Sequence, residues 1–122
     1  MIDFKSGALF KLKANEEYRH TVDRLLVQGE TVVGSFKGIR DGVVFTDKRI
    51  IAVNVQGITG KKRDFSSLPY SKVVAFSVET AGTFDLDAEL ELWFSGLGKV
   101  KFEFTGQTDI AEISRLIAGY VL

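Results

Sequence analysis

The chain has no cysteine, which excludes a disulfide framework, a thiolate metal site and a cysteine nucleophile. It has one histidine, His20, with Asp23 and Arg24 near it in sequence and no second histidine to complete a metal site. Its Lys+Arg count of 16 is cancelled by 16 Asp+Glu. It therefore lacks the basic surplus with which a general nucleic-acid binder displaces counterions. Long apolar runs are missing too. Nothing approaches the ~18 consecutive apolar residues of a membrane-spanning helix, and the apolar residues of 1–14 are interrupted by Asp3, Lys5, Ser6, Lys11 and Lys13, unlike a signal peptide. A cytoplasmic location is expected. Nucleophile and nucleotide motifs are absent as well: Ser66, Ser67, Ser71 and Ser77 have no G-x-S-x-G context, and neither G-x-x-x-x-G-K-[ST] nor a post-strand G-x-G-x-x-G occurs. The expectation is a non-enzyme with no cofactor, no metal and no nucleic-acid partner.

What is present is an ordinary globular composition over 122 residues, 45% hydrophobic and 26% charged, with ten phenylalanines to fill a core without polar partners. The length suits one domain, expected as an arm and helix over 1–28, strands over 29–107 and a closing helix over 108–122. Asn15 is placed to cap a helix, Glu16 and Glu17 suit its positive end, and Tyr18, Val22, Leu25 and Leu26 fall on one face before Gly29 ends it. The period then changes from helical to two. Residues 31–37, 41–46, 49–55, 63–68, 73–78, 86–94 and 99–105 read as seven short strands rich in Val, Ile and Phe. Connections this tight predict antiparallel pairing throughout, since parallel neighbours need a long crossover.

Parity constrains the last hairpin. Leu90, Leu92 and Phe94 alternate with Glu89, Glu91 and Trp93, and Val100, Phe102 and Phe104 alternate with Lys99, Lys101 and Glu103. Opposed residues share a face, so their numbers sum to an even value, and a register with Glu91 against Lys101 and Trp93 against Lys99 satisfies this while setting opposite charges face to face. Thr108 is the expected N-cap of the last helix, whose stripe of Ile110, Ile113, Leu116, Ile117, Tyr120 and Val121 needs a sheet to cover it.

The segment Val43-Val44-Phe45-Thr46-Asp47-Lys48-Arg49-Ile50-Ile51 resembles a hairpin of bacterial pleckstrin-homology (PH)-like domains and the related GRAM domains. The later segments Gly57-Ile58-Thr59-Gly60-Lys61-Lys62, Leu68-Pro69-Tyr70-Ser71-Lys72 and 76–85 follow in the same order as in small stand-alone bacterial PH-like proteins. The resemblance implies a mainly β (α+β) fold: a barrel of seven antiparallel strands in two near-orthogonal sheets, capped by the C-terminal helix, with an extra N-terminal helix. It also implies a homo-oligomer, ring-like by family tendency, and an ion pair inside the fold for Arg49.

Three groups of residues carry the functional expectations. Lys37 and Arg40, followed by the acidic Asp41, retain part of a phosphate-binding pattern, and Lys61, Lys62 and Arg63 form the only basic run. Together they are the candidate contact with an anion, lipid headgroup or membrane surface, against the simpler reading of solvated loop residues. Asp85, Asp87, Glu89 and Glu91 share a strand face but stand too far apart to converge on one cation, so cross-strand pairing with Lys99 and Lys101 is the stronger reading. Phe10 in the N-terminal arm, with Asp85, Asp87, Glu89 and Trp93, forms the candidate protein interface. The functional expectation is a self-associating protein-contact module with an unknown further partner, and the alternative is binding to an anionic lipid surface.

Overall fold

The computed structural model describes residues 4, 8–82, 87–105 and 108–122. Eight strands and one helix follow in order: β1 (Ala8–Ala14), β2 (Val32–Lys37), β3 (Gly42–Thr46), β4 (Arg49–Gln56), β5 (Lys62–Pro69), β6 (Val73–Glu79), β7 (Ala88–Phe94), β8 (Gly98–Phe104) and α1 (Ile110–Val121). They divide between two compact units. One is Ala14–Pro69, and the other joins the N-terminal strand to Tyr70–Leu122.

In the first unit β2 to β5 form an antiparallel meander, with Val44 opposite Ile51 and Val53 opposite Phe65. β3 and the first half of β4 are buried on both faces, as near-continuous apolar runs require. One of those faces is covered by residues 15–30. Tyr18 and Val22 come down on Val44, Ile51 and Val53, with Leu26 at the margin. Tyr18 lies so close to Gly42 that a Cβ there would stand 2.2 Å from its ring, which is why the first position of β3 has no side chain.

In the second unit β6, β7 and β8 are antiparallel, and β8 pairs with β1. The β7–β8 hairpin has the expected register, Glu91 against Lys101 and Trp93 against Lys99. Leu90, Leu92, Phe94, Phe102 and Phe104 are buried in it, while the intervening residues are half-buried or exposed. α1 lies against β6, β7 and the 3-10 turn Tyr70–Lys72, burying Ile110 and Ile117 and stacking Tyr120 on Tyr70 with centroids 5.3 Å apart. Ile113 is only half-buried.

Four expectations are corrected. There are eight strands in an open sheet rather than seven in a barrel of two near-orthogonal sheets. The additional strand is β1, whose pattern Phe10-Lys11-Leu12-Lys13 alternates with period two, with Phe10 and Leu12 buried and both lysines exposed. The pairing is not all antiparallel, because β1 runs parallel to β8. Most of the chain separates those two strands, so no tight turn imposes an antiparallel arrangement.

The N-terminal helix is not formed. Residues 15–30 are successive tight turns closing on the third residue, among them Arg19 N to Glu16 O, Asp23 N to His20 O and Leu25 N to Val22 O, with only a 3-10 turn at Asp23–Leu25. Anchors near both ends of the segment, described below, set its path, and tertiary contacts override a modest local preference. Leu25, expected on the buried face, is 42% exposed. Finally, Asp109 rather than Thr108 caps α1, its side chain accepting from the N–H groups of Ala111 and Glu112.

Candidate functional site

The recognisable Phe-Thr-Asp-Lys-Arg stretch builds an internal clamp. Thr46 Oγ1 accepts from the N–H groups of Lys48 and Arg49, shaping the β3–β4 turn, and donates to Glu30 Oε2 at 2.6 Å. Arg49 reaches the same carboxylate with two nitrogens, Nε at 2.9 Å and Nη2 at 3.0 Å, and also donates to Ser67 Oγ and the Leu25 carbonyl. Val27 N–H completes the set at Glu30 Oε1. The Glu30 side chain is fully buried. Burial pushes its carboxyl up, but hydrogen bonds from Arg49, Thr46 and Val27 and the Arg49 charge outweigh that and hold its pKa at about 2. The expected internal ion pair of Arg49 is therefore present, and it holds residues 25–30 onto the meander.

At the other end of the same unit a cleft of about 320 Å³ opens between the β2–β3 and β4–β5 loops. Its walls include Tyr18, Lys37, Arg40 and Arg63, so the structure brings three of the predicted basic residues together; Lys61 and Lys62 do not line it. Each of the three already has a neighbour. Lys37 is paired with Glu17, whose hydrogen bond is the main reason its ammonium pKa is raised. Arg40 donates to the Gly57 carbonyl at 2.6 Å, tying one loop to the other. Lys37 and Arg63 both sit over the Tyr18 ring, 5.9 and 5.8 Å from its centroid, a favourable placement for a cation. The Tyr18 hydroxyl donates to the Arg40 carbonyl. Asp41 faces inward along the chain, accepting from Val55 N–H.

Two apolar tips flank this basic cleft. Ile39 and Ile58 line it and are 99% and 106% exposed. Ile58 was legible as a lone apolar residue in a polar loop; its proximity to Ile39 follows only from the folding of the meander.

In the second unit the polar face of the β7–β8 hairpin is laced with ion pairs. Lys101 Nζ lies 3.0 Å from Glu89 and 4.0 Å from Glu91, and Lys99 lies 3.8 Å from Glu91. Glu89 is the main cause of the raised Lys101 pKa. The acidic row is thus neutralised by cross-strand lysines at Glu89 and Glu91. Trp93 is half-buried between Ala75 and Lys99 in the register. Asp87 is half-buried just before β7, and Asp85 lies outside the described residues. Phe10, expected at an interface, is buried in its own unit and stacked on Phe102 at 5.5 Å.

The sheet margins differ from these neutralised surfaces. β6 pairs only with β7 among the described strands. It carries no charge from Val73 to Val78, and Val74 is 69% exposed.

The sequence matches the profile of the bacterial PH domain over residues 3–121. The chain belongs to the bacterial PH domain family. It is similar to the uncharacterized protein YjqA of Bacillus subtilis, 50% identical over 93% of this chain and 89% of that protein. The uncharacterized YozO of the same organism is 33% identical over 82% and 86%. Among solved structures, a protein with a pleckstrin-homology domain from Shewanella loihica superposes with a TM-score of 0.78 at 38% identity, covering 93% of this chain and 99% of that one. A pleckstrin-homology domain from Shewanella amazonensis gives 0.64 at 43% identity over 87% and 86%. This bacterial PH domain is thus a mainly β PH-like fold with a C-terminal helix, in a family of generally non-catalytic binding modules.

Proposed function

We propose that this bacterial PH domain is a non-enzymatic protein-contact module that self-associates, and that its working surface is the margin formed by β6. The observation that carries this reading is the uncharged edge strand Val73–Val78 with Val74 exposed. An edge strand offers main-chain donors and acceptors to any extended segment, and soluble proteins usually blunt such edges with charge, proline or a covering element. β6 has neither charge nor proline within Val73–Val78. Static light scattering over a micromolar dilution series tests it. A mass above 13.5 kDa that falls when Val74 is replaced by Lys supports the reading; a monomer mass at every concentration removes it.

A second reading rests on the paired tips. Ile39 and Ile58, standing beside Lys37, Arg40 and Arg63, present two apolar side chains in front of a cationic cleft, a combination suited to an anionic membrane surface at roughly 1 kcal/mol per nearby base. Co-sedimentation with liposomes decides it. Binding to acidic but not neutral vesicles, weakened by salt, by Ile58→Glu and by joint alanine substitution of Lys61, Lys62 and Arg63, is the expected pattern. Equal sedimentation with both vesicle types eliminates this reading.

A further inference from the structure

Of the three cations that line the basic cleft, Lys37 alone holds a carboxylate. Its partner is Glu17, and Glu17 is itself part of the cleft wall. Among the described residues, Arg40 and Arg63 have no carboxylate within 4.0 Å. Asp41, next to Arg40 in the chain, accepts from Val55 N–H at 3.1 Å and does not line the cleft. Glu17 is thus the one acidic wall residue among the described residues.

The main chain of Glu17 is held in place. Its N–H donates to Asn15 Oδ1 at 2.8 Å, and the next residue, Tyr18, is buried with its hydroxyl on the Arg40 carbonyl. The Glu17 side chain is 47% exposed, so it can turn out into water without disturbing Tyr18. The rest of the cleft is preformed, because Arg40 ties its two loops together through the Gly57 carbonyl at 2.6 Å.

We infer that Glu17 is an internal competitor for the cleft: its carboxylate holds the place on Lys37 that the phosphate group of an acidic ligand takes when it binds. This rests on the anionic-surface reading above and names the residue that limits its affinity. A carboxylate and a phosphate both offer oxygens to an ammonium, which acts as a point charge and accepts either. A phosphate entering between Lys37 and Arg63 finds one group in its way, and moving that group breaks one partly solvated ion pair. While Glu17 stays, its charge also repels the ligand. Fastening residues 15–30 is a lesser role for the pair, since Tyr18 and Glu30 already anchor that segment.

Co-sedimentation with vesicles of phosphatidylcholine, alone or mixed with phosphatidylglycerol, tests this. Glu17→Gln keeps the size of the side chain and removes its charge. It is expected to bind the acidic vesicles roughly two- to fivefold more tightly than wild type, the gain that follows when one exposed ion pair no longer has to be broken. The gain runs through Lys37: Lys37→Gln binds more weakly, and adding Glu17→Gln to it restores nothing. Glu16→Gln controls for overall charge, since Glu16 pairs with Arg19 outside the cleft, and it should bind as wild type does. Circular dichroism confirms that each variant is folded. Titration with inorganic phosphate, followed by nuclear magnetic resonance, separates the two sources of the phosphate group. Tighter phosphate binding by Glu17→Gln without vesicle binding keeps the competitor and makes its ligand a soluble one. Unchanged affinities in Glu17→Gln, an equal gain in Glu16→Gln, or a gain that survives Lys37→Gln overturns the inference, while vesicle binding by the wild type leaves the surface reading standing. No binding of acidic vesicles or phosphate by either wild type or Glu17→Gln overturns both.

Discussion

The two units keep their sheets in place by different means. In Ala14–Pro69 the meander is covered on one face by a segment with little regular structure, and a fully buried carboxylate fixes that segment through four hydrogen bonds from Arg49, Thr46 and Val27. In the Tyr70–Leu122 unit, cohesion comes from apolar side chains, Leu90, Leu92, Val100, Phe102 and Phe104, all fully buried, while charges stay on the wet face. The difference teaches where each unit is vulnerable: the first to loss of a charge, the second to loss of volume.

The largest effects are expected from striking each unit at its own support. Glu30→Ala leaves the partly buried Arg49 guanidinium without its carboxylate and should cost roughly 3–5 kcal/mol. Phe102→Ala opens a cavity and should cost a similar 3–5 kcal/mol. Urea denaturation measures both, and amide exchange separates them: Glu30→Ala should loosen residues 15–30 first, Phe102→Ala the β7–β8 hairpin. Equal protection loss across both units in either variant would erase the contrast.

Acid sharpens the comparison by a smaller amount. The Glu30 pKa of about 2 lies below its ordinary value of 4.5, so the unfolded chain binds a proton there before the folded one does. Its contribution is fully present above pH 4.5 and is lost as pH falls toward 2. Amide exchange between pH 5 and pH 2.5, corrected for intrinsic rates, should show residues 15–30 losing protection in the wild type. With Glu30→Gln that pH-dependent loss should largely disappear. An unchanged profile would mean the clamp does not govern this segment.

The smallest effect belongs to the hairpin's outer face. Lys101→Ala removes contacts to Glu89 and Glu91 from a partly solvated surface, where ion pairs are worth about 0–1 kcal/mol. A thermal melt shifted by more than a few degrees would show that these charges carry structural weight.

Much of the second unit was legible in the sequence because its strands have one dry and one wet face. Alternation at 88–94 and 99–104 fixed which residues are buried and limited the register to even sums. Among these, opposite charges favoured Glu91 against Lys101, the pairing that forms. The first unit gave less. Its doubly buried strands read as apolar runs whatever covers them, so Tyr18 and Val22 were recognised as facing inward while the helix expected to carry them does not form. The stretch around Phe10 and Leu12 alternates over only four residues, so by itself it reads as an arm, and nothing local names β8, at the far end of the chain, as its partner.

The sequence by itself determined seven of the eight strands and the two faces of the β7–β8 hairpin, because period and parity are local or pairwise properties. The resemblance to the family implied an ion pair for Arg49. Only the tertiary structure decided that the acid is Glu30, that Ile39 and Ile58 share a cleft, and that β6 is a margin while β1 lies parallel to β8. Those outcomes depend on which distant segments meet, and chain connectivity leaves that open until the whole core is packed.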